Sequence, residues 1–167
     1  MTEQDYMEVI ISKTAVLIAA ACRIGGMLGS TTMPEQEALK DFGLNLGIAF
    51  QMVDDTLDYT LSREQFGKPV GKDVEEGKIT LPLIQALDKA PPKPRAKLKE
   101  LVSRENYQPE NFPEVLDLVQ QYGGIDSAFQ KAHNYADKAV ASLKIFPESE
   151  YKLLMLDLAD FVVRRKL

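Results

Sequence analysis

The chain has 167 residues, with 20 Lys+Arg against 25 Asp+Glu, one His and one Cys, and a formal net charge of -5. With 45% hydrophobic and 27% charged residues, it has the balance of one globular domain able to bury about two-thirds of its unfolded surface. Cys22 alone excludes a disulfide scaffold, and Cys22 with His133 cannot supply a thiolate zinc site, so a metal here is expected to be a hard cation on carboxylates. No run reaches 18 uninterrupted apolar residues, because Ala15–Cys22 is stopped by Arg23. The acidic start lacks the basic region of a signal peptide, so a cytoplasmic chain without stable membrane insertion is expected. Net negative charge argues against nucleic acid as a partner.

The elements in chain order are helical. Met7, Ile11, Thr14, Ile18, Ala21, Gly25 and Leu28 recur at steps of three and four, which predicts one helix from the Thr2–Asp5 capping pair to Gly29-Ser30, with these residues on its packed face. Thr31-Thr32-Met33-Pro34 signals a second start. Leu39, Phe42, Leu46, Phe50, Val53 and Leu57 then carry a helix to about Tyr59, and Gly43 and Gly47 allow close approach of another backbone or a ligand. From Leu61 to Gly77, four glycine or proline breaks alternate with Lys68, Lys72, Asp73, Glu75 and Glu76, predicting a surface loop with one short helical turn. Thr80-Leu81-Pro82 opens a helix ending before Ala90, and further helices are predicted at about 93–104, 111–122, 124–143 and 148–165, punctuated by Pro109, Gly123-Gly124 and Pro147. There is no repeat, no strand-like alternation and no inter-domain linker. The predicted fold is all-α.

Chemistry concentrates in Phe50-Gln-Met-Val-Asp54-Asp55-Thr-Leu-Asp58. On a helix, Asp54 and Asp58 lie one turn apart and Gln51 lies one turn before Asp55, so the four project broadly one way. Three like charges so close destabilise a helix that faces only water, and a divalent cation relieves the repulsion. Mg²⁺ suits such ligands and shares substrate phosphates, which the nearby Lys68, Lys72 and Lys78 can also reach. The plain alternative is an acidic solvated face, but apolar Phe50, Met52 and Val53 set these carboxylates on a packed helix.

The segment resembles the second aspartate-rich region of the trans-type isoprenyl diphosphate synthases, the polyprenyl synthetases. Phe50, Gln51, Asp54, Asp55 and Asp58 match its first block. Gly67, Lys68, Gly71, Asp73, Gly77, Lys78, Thr80 and Pro82 match the glycine-lysine block that follows, and Lys13-Thr14 matches the upstream Lys-Thr pair. The resemblance implies the C-terminal helices of the isoprenoid synthase bundle, a partial domain over 1–167. It implies Asp54, Asp55 and Asp58 holding Mg²⁺ through an allylic diphosphate, with Lys13, Lys68 and Lys78 on that diphosphate. Gln51 and the Thr14 carbonyl would face the allylic carbocation.

Members of that family carry a first aspartate-rich motif and a basic set for isopentenyl diphosphate, and the 167 residues contain neither. The expected activity is head-to-tail (1'-4) condensation, weak or absent in the isolated chain, with isopentenyl diphosphate bound only if the missing half is supplied. A homo-oligomer or a partner subunit is expected, the alternative being a non-catalytic helical subunit or half of a split synthase. Asp157 and Asp160 are expected on a solvated face, His133 at the surface, Cys22 as a structural thiol, and Arg164-Arg165-Lys166 as favourable at a helix C-terminus.

Overall fold

Helix starts are set by short side chains closing on the backbone. The Thr2 N–H donates to Asp5 Oδ2 at 2.6 Å, and the Asp5 N–H donates back to Thr2 Oγ1 at 3.2 Å. This is a reciprocal cap with Asp where Glu is usual. Thr32 repeats the device on Glu35 Oε2, and Ser149 Oγ accepts from the Lys152 N–H. The computed structural model describes residues 1–60, 71–103 and 107–165 and contains no strand among them. The order is α1 (Glu3–Ile10), a π-helical turn (Ile11–Ala15), α2 (Val16–Leu28), α3 (Met33–Leu57), α4 (Lys72–Glu75), α5 (Leu81–Lys89), α6 (Pro92–Leu101), α7 (Phe112–Gln121), α8 (Gly124–Ser142) and α9 (Glu150–Arg164). The all-α expectation holds, with helix ends within a few residues of their predicted places.

The elements fall into two compact units. The first holds Met1–Tyr6 and Asp54–Gln130, packed around Tyr59, Val74, Leu83, Leu98, Phe112, Val115 and Val119. The second holds Met7–Val53 and Lys131–Arg165, with Phe42, Leu46, Ala49, Ala136, Ala139, Leu143, Ala159 and Val162 as its core. Four alanines in that core keep the helices close. At Gly43 a Cβ would meet the Ile18 carbonyl oxygen at 2.7 Å, and at Gly47 it would meet Ala15 Cα at 2.7 Å. These two glycines let α3 lie directly against the N-terminal helix, the close approach their spacing predicted.

One face is corrected. The buried residues of the N-terminal helical run are Tyr6, Ile10, Ala15, Ala19 and Gly26, while Met7, Ile11, Thr14 and Ile18 are half-buried and Ala21, Gly25 and Leu28 exposed. The cause is the π-turn. The Val16 N–H bonds back to the Ile11 carbonyl, five residues earlier, so the packed row steps from Ile10 to Ala15 instead of three or four residues on. The run Glu3–Leu28 is also, on average, apolar enough and long enough to cross a membrane, and 22% of its most apolar window is buried.

Candidate functional site

The site residues expected from the sequence fall into two groups, one in each unit. In the first unit, α3 ends in the aspartate motif. Asp54 is exposed, Asp55 is buried and Asp58 is half-buried. Asp58 gathers the chain that returns to it: its carbonyl accepts from the Gly71 N–H at 3.1 Å, its Oδ1 from Lys72 N–H at 3.3 Å, and its Oδ2 from Asp73 N–H at 3.0 Å. Gly71 is required for that return. Its φ is +78°, and a Cβ there would strike the Phe112 ring at 2.3 Å. Burial pushes the Asp58 carboxyl above the usual aspartate value, against the lowering effect of the two N–H donors.

The turn that Asp58 anchors brings Lys72 and Lys78 with it. Lys78 Nζ pairs with Asp73 Oδ1 and Glu76 Oε2, each at 2.7 Å, and these hydrogen bonds hold its ammonium above the usual lysine value. These two pairs use two of the three ammonium N–H donors, which leaves one for another anion. Lys68, with Gly67, lies outside the described residues.

In the second unit, the π-turn holds Lys13 and Thr14. Such turns are frequent at functional sites, and they displace side chains from the regular spiral. Lys13 is exposed; Thr14 is half-buried, and its hydroxyl donates to Gln51 Oε1 at 3.0 Å. That bond turns the carboxamide oxygen of buried Gln51 toward the π-turn. Next to Gln51, the Phe50 carbonyl accepts from an Arg165 NH2 group at 3.1 Å, and the Arg165 guanidinium lies 4.1 Å from the Phe50 ring centre.

Among the described residues, no three Asp, Glu, His or Cys side chains already converge as metal ligands. The donor set fits Mg²⁺ nonetheless, since that ion keeps several waters and takes one or two carboxylates plus substrate phosphates. Exposed Asp54, with Asp58 one helical turn further, would supply such a partial shell. Asp55 is arranged differently, with its Oδ2 accepting from the buried Tyr6 hydroxyl at 2.8 Å. The sequence reading missed Tyr6. No local sequence signal marks it, because its partner lies 49 residues away.

The family model described as polyprenyl synthetase matches residues 1–119. The chain belongs to that family. It is 39% identical over 165 residues to the octaprenyl diphosphate synthase of Escherichia coli (strain K12), covering 99% of this chain and 51% of that protein. It is 37% identical to the short chain isoprenyl diphosphate synthase of Methanothermobacter thermautotrophicus, covering 99% of this chain and 50% of that one. The crystal structure of the polyprenyl synthase from Caulobacter crescentus CB15, complexed with calcium and isoprenyl diphosphate, matches with a TM-score of 0.92 at 38% identity, covering 100% of this chain and 51% of that one. This polyprenyl synthetase chain thus spans about half the length of the curated relatives it matches.

Of the residues singled out in sequence, Asp54, Asp55, Asp58 and Lys78 fall in the first unit of the polyprenyl synthetase chain and Lys13, Thr14 and Gln51 in the second. His133 is exposed, as are Asp157 and Asp160, the latter paired with Arg164 at 2.7 Å. Cys22 is half-buried, and burial raises its thiol pKa.

Proposed function

We propose that this chain carries the allylic-diphosphate side of a prenyltransferase that makes polyprenyl diphosphates by head-to-tail (1'-4) condensation with isopentenyl diphosphate. In this proposal residues 1–167 are the C-terminal half of the synthase domain. The observation that carries it is the Asp58 anchor, which ties the Lys72–Lys78 turn to the end of the aspartate helix and so puts cations beside carboxylates. The calcium and isoprenyl diphosphate in the 38% identical Caulobacter structure support the same ligand chemistry.

Asp54, Asp55 and Asp58 would hold Mg²⁺, which when bound neutralises a diphosphate and improves it as a leaving group. Lys13, Lys68 and Lys78 donate to diphosphate oxygens as the allylic C–O bond breaks and its electron pair departs with the diphosphate. The Gln51 side chain, oriented by Thr14, and the Thr14 carbonyl present negative dipoles to the carbocation left behind. The isopentenyl double bond then attacks that cation, and a proton is lost from the adduct.

Because the 167 residues hold no first aspartate-rich motif and no isopentenyl-binding set, two substrates are not positioned together, and misplacement alone costs orders of magnitude in rate. The expected outcome with allylic diphosphate, labelled isopentenyl diphosphate and Mg²⁺ is little or no elongation. Turnover near that of a full-length synthase would overturn the half-site reading. Mg²⁺-dependent binding of inorganic diphosphate, followed by calorimetry, should weaken at least about 10-fold in Asp54→Ala. Equal binding by both proteins would remove the aspartates from the site. A second reading, a subunit that works with a separate chain, is favoured by the exposed Leu17, Leu28, Tyr151 and Phe161.

A further inference from the structure

The Asp-Asp-x-x-Asp pattern gives three carboxylates with one chemistry, yet they have three different environments. Asp54 is exposed, Asp58 is occupied by the backbone of the returning turn, and Asp55 is 8% exposed beneath a tyrosine. Tyr6 is 3% exposed, and its hydroxyl lies 2.8 Å from Asp55 Oδ2 across a separation of 49 residues. A buried phenol pointed at a buried carboxylate is a strong charge-assisted donor, and it fixes the rotation of the group it holds. The helix bearing Tyr6 has a further tie that does not involve Asp55: Gln85 Nε2 donates to Glu3 Oε2 at 2.7 Å.

We propose that Tyr6 is a positioning residue of the cation site, acting through Asp55: its hydroxyl occupies one carboxylate oxygen and sets the orientation in which the motif meets a divalent ion. This rests on the reading of Asp54, Asp55 and Asp58 as the cation-holding group. A hydrogen bond of this kind behind a metal-binding carboxylate is typically worth 10- to 100-fold in metal affinity, because the ligand no longer has to be ordered when the ion arrives. The Glu3 to Gln85 bond is a tie of α1 that does not touch the motif.

The test uses the full 167-residue chain, with Mn²⁺ as the probe, counting free Mn²⁺ by electron paramagnetic resonance in the presence of inorganic diphosphate. Tyr6→Phe keeps the ring and its packing, and should bind Mn²⁺ about 10-fold more weakly. Glu3→Ala removes a tie of α1 that does not involve Asp55 and should leave Mn²⁺ affinity unchanged. In an Asp55→Asn background, Tyr6→Phe should have little further effect, since its route to the ion has gone. Three results overturn the proposal: wild-type affinity in Tyr6→Phe, an equal loss in Glu3→Ala, or an undiminished loss in the Asp55→Asn background. If wild type and Asp54→Ala bind Mn²⁺ equally, the cation reading itself falls, and the positioning role falls with it.

Discussion

Asp58 has two tasks that pull in opposite directions. As an anchor for Lys72 and Asp73 its carboxylate accepts two backbone hydrogen bonds, which favour the charged form. Burial opposes them and prevails, aided by the neighbouring Asp73 charge, so the folded-state pKa lies above the usual value. The folded chain then holds this proton more tightly than the unfolded chain does. Its relative stabilisation is present where Asp58 is protonated and is lost as pH rises from the unfolded pKa through the folded one. Asp58→Asn cannot titrate. The difference in melting temperature, wild type minus variant, measured without divalent cations, should therefore fall as pH rises through that window. A difference that grows with pH would mean that hydrogen bonding outweighs burial. Residues of this kind were only half legible in the sequence. The spacing of Asp54, Asp55 and Asp58 marked a site, but the Tyr6 bond to Asp55 joins residues 49 apart, and no local pattern encodes it.

At the scale of elements, the sequence was clearest where one residue type has one backbone use. Thr2 with Asp5, Thr32 with Glu35, and the positive-φ Gly123 before α8 fall where helix boundaries were predicted, because caps and left-handed turns are local events. The π-turn was not legible, since a step of five in the packed row hides inside a pattern of threes and fours. It behaves as a one-residue insertion. Deleting exposed Ser12 shortens the Ile10-to-Ala15 step to four, so a plain α-helix can keep Tyr6, Ile10, Ala15 and Ala19 in one packed row. What the deletion removes is the displacement of Lys13 and Thr14 from that spiral. The Ser12 deletion should melt within a few degrees of wild type or above it, while Mg²⁺-dependent diphosphate binding falls about 10-fold. Loss of stability and binding together would make the π-turn a packing requirement rather than a binding device.

At the scale of the whole molecule, the composition of a complete globular domain coexists with helices that are apolar on two sides. In α9, Ala159 and Val162 enter the core of the second unit, while Tyr151, Leu154, Leu158 and Phe161, spaced by three, four and three, form an exposed stripe. In α2, Ala19 and Gly26 are buried, yet Leu17 is 73% and Leu28 82% exposed. A helix apolar all round is the pattern of a buried element, and each large side chain left in water forgoes about 1.5–3 kcal/mol of burial. The relatives have about twice the length to cover such faces, and this chain, isolated at high concentration, has only copies of itself. It should sediment above the 18.7 kDa of one chain, with a mass that falls on dilution. Leu154→Glu with Leu158→Glu charges the exposed stripe without touching Ala159 or Val162, so helicity by circular dichroism should persist while the mass drops to that of a monomer. A wild-type chain that stays monomeric at high concentration would show that these stripes do not bind one another.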